Sequence, residues 1–385
     1  MPVTIIARSV HGLEWVCAAE IAENFDVVDG VRMDRREVVF ELPDVRPGLL
    51  ELRCADDTFL YVGEVGGVGT TKDTLPIVVR RLAGLDWAAA LARIRGIRDV
   101  PDQPAFDCVV SLEGRRSYNR FLAESQAGTT LARHLGGVFL ARDNTGGLAG
   151  TPDLTVRLFF RSTGVIAALR LGLRPLHRRD YKTSTGAGTL HPPMAAALAA
   201  LAGPLDNRTT LDPFCGDGTI PIETAIRYPS AQVLGSDIDP DRVANAQANA
   251  ERARVRLSVS LADAGNLARE PASVDAVVTN PPWNVAVDSR GSLDASLEQF
   301  WRTVPAVLRP GGLVCSINDA DLDVPARLAR WGYHTGLQTQ VRLAGRLVHL
   351  VLAGPPDGME PRLGPTLEAW HERAIRAGVV TDSGF

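Results

Sequence analysis

One stretch near the middle of the chain limits the fold more than any other. Thr209-Thr210-Leu211 reads as a short strand, Asp212-Pro213-Phe214-Cys215-Gly216-Asp217-Gly218-Thr219 as a tight turn, and Ile220 to Tyr228 as a helix. Glycine has no Cβ, so a glycine-rich strand-to-helix turn lets the backbone approach a ligand closely. A second apolar run, Gln232 to Ser236, ends in Asp237-Ile238-Asp239-Pro240, with Asp237 19 residues after Gly218. At that distance in a doubly wound sheet an acidic side chain meets ribose hydroxyls. A helix from Asp241 to about Ala253 follows, with Pro240 just before it and Asp239 as an alternative cap. Further strands are expected near Val255 to Val259, at Val274 to Asn280 and at Leu313 to Ile317, with a helix near Leu293 to Leu308. Gln338 to Leu343 and Leu347 to Leu352 read as a closing hairpin. Strands alternating with helices predict an α/β fold with a mostly parallel sheet.

The turn restricts the ligand. It lacks the third glycine of a dinucleotide fingerprint and the Gly-Lys-Ser/Thr of a P-loop. No basic residue in it could neutralise a phosphate, and Asp212 and Asp217 would repel one. A cofactor with a ribose and a positive centre suits it better, and S-adenosyl-L-methionine is such a cofactor. Asn280-Pro281-Pro282-Trp283 then stands at the C-terminal end of an apolar strand, the edge where open α/β sheets bind ligands. The Asn280 side-chain oxygen and the Pro281 carbonyl can accept hydrogen bonds from an exocyclic amine. The prolines fix the backbone, and Trp283 offers a stacking face. The alternative is a Pro-rich turn with Trp283 as a core aromatic.

Taken in order and spacing, these three segments resemble the class I S-adenosylmethionine-dependent methyltransferases, and within them the amino-methyltransferases that carry Asn/Asp-Pro-Pro-aromatic. The resemblance implies a Rossmann-like catalytic sheet. It implies a cofactor site of Asp212, Phe214, Cys215, Gly216, Gly218, Thr219, Asp237, Ile238, Asp263, Ala264 and Asn280. Asp212, Gly216 and Gly218 would hold the methionine end, Asp237 the ribose, Ile238 the adenine ring and Asp263 the adenine amino group. Asp263 as a helix N-cap is the alternative. Cys215 reads as a small packed residue. The catalytic set would be Asn280, Pro281, Pro282 and Trp283. The family often has Tyr and then Gly after the prolines, where this chain has Trp283 and Asn284.

The whole chain of 385 residues is long enough for two or three domains. No apolar run approaches a membrane span, and the start, Val3-Thr4-Ile5-Ile6-Ala7, reads as a strand rather than a signal peptide. The five cysteines form no CxxC pair, so neither a zinc site nor a disulfide framework is expected, and a reducing cytoplasm fits. The net charge of −4 gives no support to nucleic-acid binding, but the charge is uneven. Residues 151–190 hold 7 basic and 2 acidic residues, net +5. Because 39 of the 41 basic residues are arginine, arginine content alone is weak support.

The basic run Arg174-Pro175-Leu176-His177-Arg178-Arg179-Asp180-Tyr181-Lys182 and the segment Arg115-Arg116-Ser117-Tyr118-Asn119-Arg120 mix cations with aromatics. Such mixtures combine phosphate contacts with base stacking. The alternative for Arg115-Arg116 and Arg178-Arg179 is a solvated charged surface. These segments, with Gly12-Leu13-Glu14, resemble the module preceding the catalytic domain in THUMP-domain RNA methyltransferases. The resemblance covers roughly residues 1–354. It implies an α+β ferredoxin-like piece at 1–58, a THUMP domain at 59–172, a linker at 173–190, the methyltransferase domain at 191–354 and a tail at 355–385. The junction His191-Pro192-Pro193-Met194 departs from the more charged family sequence.

The implied activity is tRNA guanine-N2 methylation near the acceptor stem by a cytoplasmic monomer without metal. The RNA contacts would be Arg115, Arg116, Tyr118, Arg120, Arg174, His177, Arg178, Arg179, Tyr181 and Lys182. Other readings are another exocyclic amine (rRNA guanine, adenine or a protein glutamine amide), or a non-enzymatic RNA-binding factor.

Overall fold

A computed structural model describes residues 2–380 apart from 29, 144–145, 184–185, 187, 268–271, 284–287, 294–295 and 344. The N-terminal half builds one sheet from β1 (Val3–Ser9), β2 (Arg32–Asp34), β3 (Glu37–Leu42), β4 (Ala55–Gly66), β5 (Ala105–Leu112), β6 (Val138–Phe139), β7 (Leu154–Phe160) and β8 (Gly164–Arg170). Their order is β2-β3-β1-β4-β8-β7-β5-β6. Helices α1 (Glu14–Asn24), α2 (Leu75–Ala83), α3 (Trp87–Arg95) and α4 (Arg120–Leu135) pack against it. The boundary expected between residues 58 and 59 falls inside β4. That strand pairs with β1 through Ile5 and Leu60 and with β8 through Phe59 and Arg170, so the two expected modules share one sheet.

The C-terminal half contains α5 (Pro192–Leu201), β9 (Thr209–Asp212), α6 (Thr219–Arg227), β10 (Gln232–Asp237), α7 (Pro240–Ala253), β11 (Ser258–Leu261), β12 (Val274–Thr279), α8 (Glu298–Val307), β13 (Leu308–Asp319), α9 (Val324–Arg330), β14 (His334–Leu343) and β15 (Arg346–Gly354). The sheet runs β11-β10-β9-β12-β13-β15-β14. It is parallel as far as β13, and β15 and β14 close it as an antiparallel hairpin. Helices cover both faces of a parallel sheet, which is why Ala276, Val277, Val278 and Thr279 of the central β12 are all buried. The helix expected from Leu293 starts at Glu298, after a 3₁₀ turn at Gly291–Leu293. No helix among the described residues is long and apolar enough to cross a membrane.

Two features were not readable from periodicity. Helix α1 has the pattern of an amphipathic helix, yet every residue from Glu14 to Ile21 is buried. The tail supplies the second cover: α10 (Pro365–Arg376) lies on α1, with the Trp15 and His371 rings 4.7 Å apart. The two inward-facing glutamates are held by backbone donors. Glu14 accepts from Gly12 and Arg36 N–H at 2.8 and 2.7 Å, and Glu20 from Arg53 and Cys54 N–H, both at 2.8 Å. Burying a carboxylate without such donors would cost several kcal/mol. Trp370 of α10 is 7% exposed and lies under Arg373. Trp370→Ala is expected to cost about 3 kcal/mol, checked by the shift of the urea unfolding midpoint.

The halves meet directly. Gly12 has φ +97°, and a Cβ there would lie 2.8 Å from the Gln340 carbonyl oxygen of β14. The Arg342 N–H donates to the His11 carbonyl at 3.2 Å, which ties the turn before α1 to the edge of the catalytic sheet.

Candidate active site

In the second sheet β9 has β10 on one side and β12 on the other, so the strand order reverses between β9 and β12. Open α/β sheets bind ligands in the crevice beyond the carboxyl ends of strands at such a point. A cavity of about 410 Å³ lies there. It is lined by every residue of the expected cofactor and catalytic sets except Gly218.

Asp212 ends β9 and is 3% exposed. Its Oδ1 accepts from the Phe214 N–H at 3.1 Å and from the Thr279 hydroxyl at 2.6 Å. Among the described residues it has no cationic partner. Burial pushes its carboxyl up to about 7, against the two donors and with the help of the neighbouring Asp237 charge. Gly216 and Gly218 follow with φ of +51° and +84°. Gly218 serves packing: a Cβ there would lie 3.0 Å from Ala246 Cβ of α7. Cys215 is buried against Gly235, and burial pushes its thiol well up, which suits a packed residue and not a nucleophile. Phe214 meets Phe300 edge-on at 4.9 Å, and Thr219 opens α6.

Asp237 ends β10. Its carboxylate accepts from Gly216 N–H at 2.9 Å and Asp239 N–H at 3.0 Å, which braces the glycine turn. Asp239 caps α7 by accepting from Asp241 N–H at 2.9 Å. Ile238 is 39% exposed, an apolar side chain left open at the cavity. Asp263 accepts from Gly265 N–H at 2.9 Å and Ser292 N–H at 2.8 Å. Burial works against ionisation, but these donors hold the carboxyl below its usual range. Asp263 thus closes a turn and reaches across to the 3₁₀ turn at Gly291–Leu293, and no helix among the described residues begins at Asp263. Ala264 is buried beside it, packed in the same core as Leu293.

Asn280 follows β12 directly. Its Oδ1 is buried and has no hydrogen-bond partner among the described residues. A buried acceptor left unmade costs about 1–3 kcal/mol, so an orphan at the mouth of a ligand cavity calls for an explanation. Trp283 donates its indole N–H to the Ile317 carbonyl of β13 at 3.3 Å, which anchors the ring at the cavity wall. Asn284 lies outside the described residues.

Gly188, Thr189 and Leu190 of the linker also form the wall, and no motif or periodicity marks them. Thr189 is held by Asp217, whose carboxylate accepts from Thr189 Oγ1 at 2.9 Å, Arg242 at 2.8 Å and Asn245 Nδ2 at 3.2 Å. Among the described residues no His/Cys/Asp/Glu cluster fit for a metal ion is present.

Several expected RNA contacts are corrected. Arg179 and Tyr181 are 7% and 4% exposed, because both bond to the buried carboxylate of Glu223 on α6. Tyr118 is 6% exposed, and Arg116 turns inward to the Gly69 and Arg161 carbonyls. His177 bonds to the Asp56 carbonyl. Arg115, Arg120 and Arg178 are exposed, Lys182 is half-buried, and Arg174 is exposed beside Asp180.

Comparison with known proteins agrees with this geometry. Residues 179–348 match the RMKL-like methyltransferase domain family. The chain is 28% identical over 313 residues to a tRNA (guanine(6)-N2)-methyltransferase of Thermus thermophilus, covering 80% of this chain and 87% of that protein. It is 31% identical over 139 residues to a tRNA (guanine(10)-N2)-dimethyltransferase of Methanothermobacter thermautotrophicus, covering 36% and 40% of the two chains. The crystal structure of TrmN from Thermus thermophilus superposes with a TM-score of 0.71 at 25% identity, covering 92% of this chain and 99% of that one. Residues 179–348, with the strand order and glycine turn described above, match the RMKL-like methyltransferase domain in sequence and carry its fold.

Proposed function

We propose that this chain transfers a methyl group from S-adenosylmethionine to the exocyclic N2 amine of a guanosine in tRNA. The observation that carries the reading is the orphaned Oδ1 of Asn280 beside the cavity. A planar base with an exocyclic amine brings the donor that this acceptor lacks.

The residues present fit the cofactor. Among the described residues Asp212 is a buried carboxylate without a cation, Asp237 and Asp263 present acceptors, and Ile238 presents an exposed apolar side chain. A ligand with an ammonium group, ribose hydroxyls and a flat base satisfies all four, whereas a phosphate would face carboxylates. When bound, S-adenosylmethionine supplies an electrophilic methyl group on a sulfonium.

The chain's own residues do the rest by positioning. A guanine amine is a poor nucleophile because its lone pair is delocalised into the ring. Asn280 Oδ1 and the Pro281 carbonyl take its two hydrogens, which favours a pyramidal nitrogen and aims its lone pair into the cavity. The anchored Trp283 ring stacks on the base, worth about 1–3 kcal/mol against the cost of unstacking it from a stem. No strong general base is needed, because the amine proton becomes acidic as the new bond forms.

Two relatives named for different guanosines match this chain, and the one that matches along most of its length is named for guanosine 6. We therefore favour that position. The test is nucleoside mass spectrometry, with fragment mapping, of an unmodified tRNA transcript incubated with the protein and S-adenosylmethionine. N2-methylguanosine mapped to nucleotide 6 is expected. Methylation elsewhere overturns the position, and no methylated nucleoside overturns the substrate.

A further inference from the structure

The linker between the halves is pinned at three places, the last of them, Asp217, in the cavity wall. Asp56 of β4 holds His177 near its start and His191 just past its end. The Asp56 carbonyl accepts from His177 N–H at 3.0 Å, and its carboxylate meets His191 Nε2 at 2.7 Å. Between those ends the linker is tied to Glu223 and then to Asp217, and Gly188, Thr189 and Leu190 emerge as cavity wall.

The Glu223 pin is unusual in its make-up. The residue sits one turn into α6, the helix that begins directly after the glycine turn, and it is 1% exposed. Its carboxylate takes Arg53 Nε and Nη2 at 2.8 and 2.7 Å, Arg179 Nε at 3.0 Å and the Tyr181 hydroxyl at 2.8 Å. Arg179 also donates to the Arg53 carbonyl at 2.6 Å. Arg53 belongs to the N-terminal half, Arg179 and Tyr181 to the linker, and Glu223 to the catalytic domain. One buried carboxylate thus collects a bond from each part of the chain.

A buried ion pair resists displacement of any member, because a lone charge left behind is costly. Movement of the N-terminal half relative to α6 must therefore break this cluster or carry α6 and the linker with it. We propose that Glu223, Arg53 and Tyr181 are positioning residues that couple the placement of the N-terminal half to the affinity of the cofactor cavity. None of the three lines that cavity. Their effect passes through α6 and the linker wall. This inference rests on the reading of the cavity as an S-adenosylmethionine site.

The test is calorimetric titration of S-adenosylhomocysteine into the full chain, unmutated and as Arg53→Met and Tyr181→Phe, with near-ultraviolet circular dichroism to confirm folding. The expected result is native-like spectra with affinity about tenfold weaker for Arg53→Met, inside the usual range of site-to-site coupling, and a smaller loss for Tyr181→Phe. A cluster with only a structural role would lower the unfolding temperature and leave the affinity of the folded protein unchanged. That outcome overturns the inference alone. Should Arg53→Met fail to fold, Tyr181→Phe decides, since it removes one hydrogen bond and no charge. No binding by the unmutated chain overturns the cofactor reading and this inference with it.

Discussion

Asn280→Ala is expected to lower the single-turnover rate of methyl transfer about 100- to 1000-fold, the usual loss when one preorganised polar group at a reacting centre is removed. Among the described residues Oδ1 is buried and unpartnered, so it adds nothing to stability and costs its own desolvation. Removing it relieves that cost. The same substitution is therefore expected to leave the unfolding midpoint unchanged or raised, the pattern of a residue kept for chemistry at the expense of stability. S-adenosylhomocysteine affinity should fall far less than the rate, because Asp212, Asp237 and Asp263 remain. Rapid-quench measurement with tRNA and enzyme in excess reads the chemical step directly. An unchanged rate would remove Asn280 from the mechanism, and a rate loss matched by an equal loss of stability would make it a structural residue.

The parts of this fold that were legible in the sequence are those specified locally. A strand, a glycine turn and a helix are set by neighbours, and the 209–228 segment forms them as β9, the turn and α6. The central β12 was legible because a strand buried on both faces must be continuously apolar. The Asn-Pro-Pro-Trp and Asp-Pro-Phe-Cys-Gly segments meet at one cavity because both end neighbouring strands of a parallel sheet.

What was hidden depends on residues far apart in the chain. Arg179 and Tyr181 look like exposed RNA contacts within a basic run, and only the fold brings them to Glu223, more than 40 residues on. A charge pattern reports composition and not partners, so an arginine bound for a buried carboxylate reads the same as one bound for phosphate. Helix α1 shows the same limit. Its second face is covered by α10, and no local period signals a cover that arrives from the far end of the chain. The split expected at residue 58 falls inside β4, which is long enough to pair with β1 at one end and β8 at the other.

Asp212 gives the cavity a dependence on pH whose sign can be worked out. Its carboxyl is pushed up to about 7 by burial in the free protein, well above its value in an unfolded chain. Between roughly pH 4 and 7 the native state therefore holds a proton that the unfolded state has released. Stability from this group is greatest at low pH and falls as pH rises through that window, with the loss complete above it. A ligand ammonium reverses the preference, since it favours the ionised carboxylate. Binding at pH 6 should then release close to one proton, and affinity should fall about 50-fold between pH 7 and pH 5 as the free carboxyl becomes protonated. Titration of S-adenosylhomocysteine in two buffers of different ionisation enthalpy measures the proton directly. Asp212→Asn should bind more weakly at pH 7, release no proton and show a flat profile across the same range. The ligand's own amine does not titrate there, and His177, lowered by burial, is far enough from the cavity wall to be absent from its lining. A proton release that survives in Asp212→Asn would assign it to another group. An unmutated chain that binds with no proton release and no pH dependence would mean that no cation of the ligand sits against Asp212, and the methionine end would have to be placed elsewhere in the cavity.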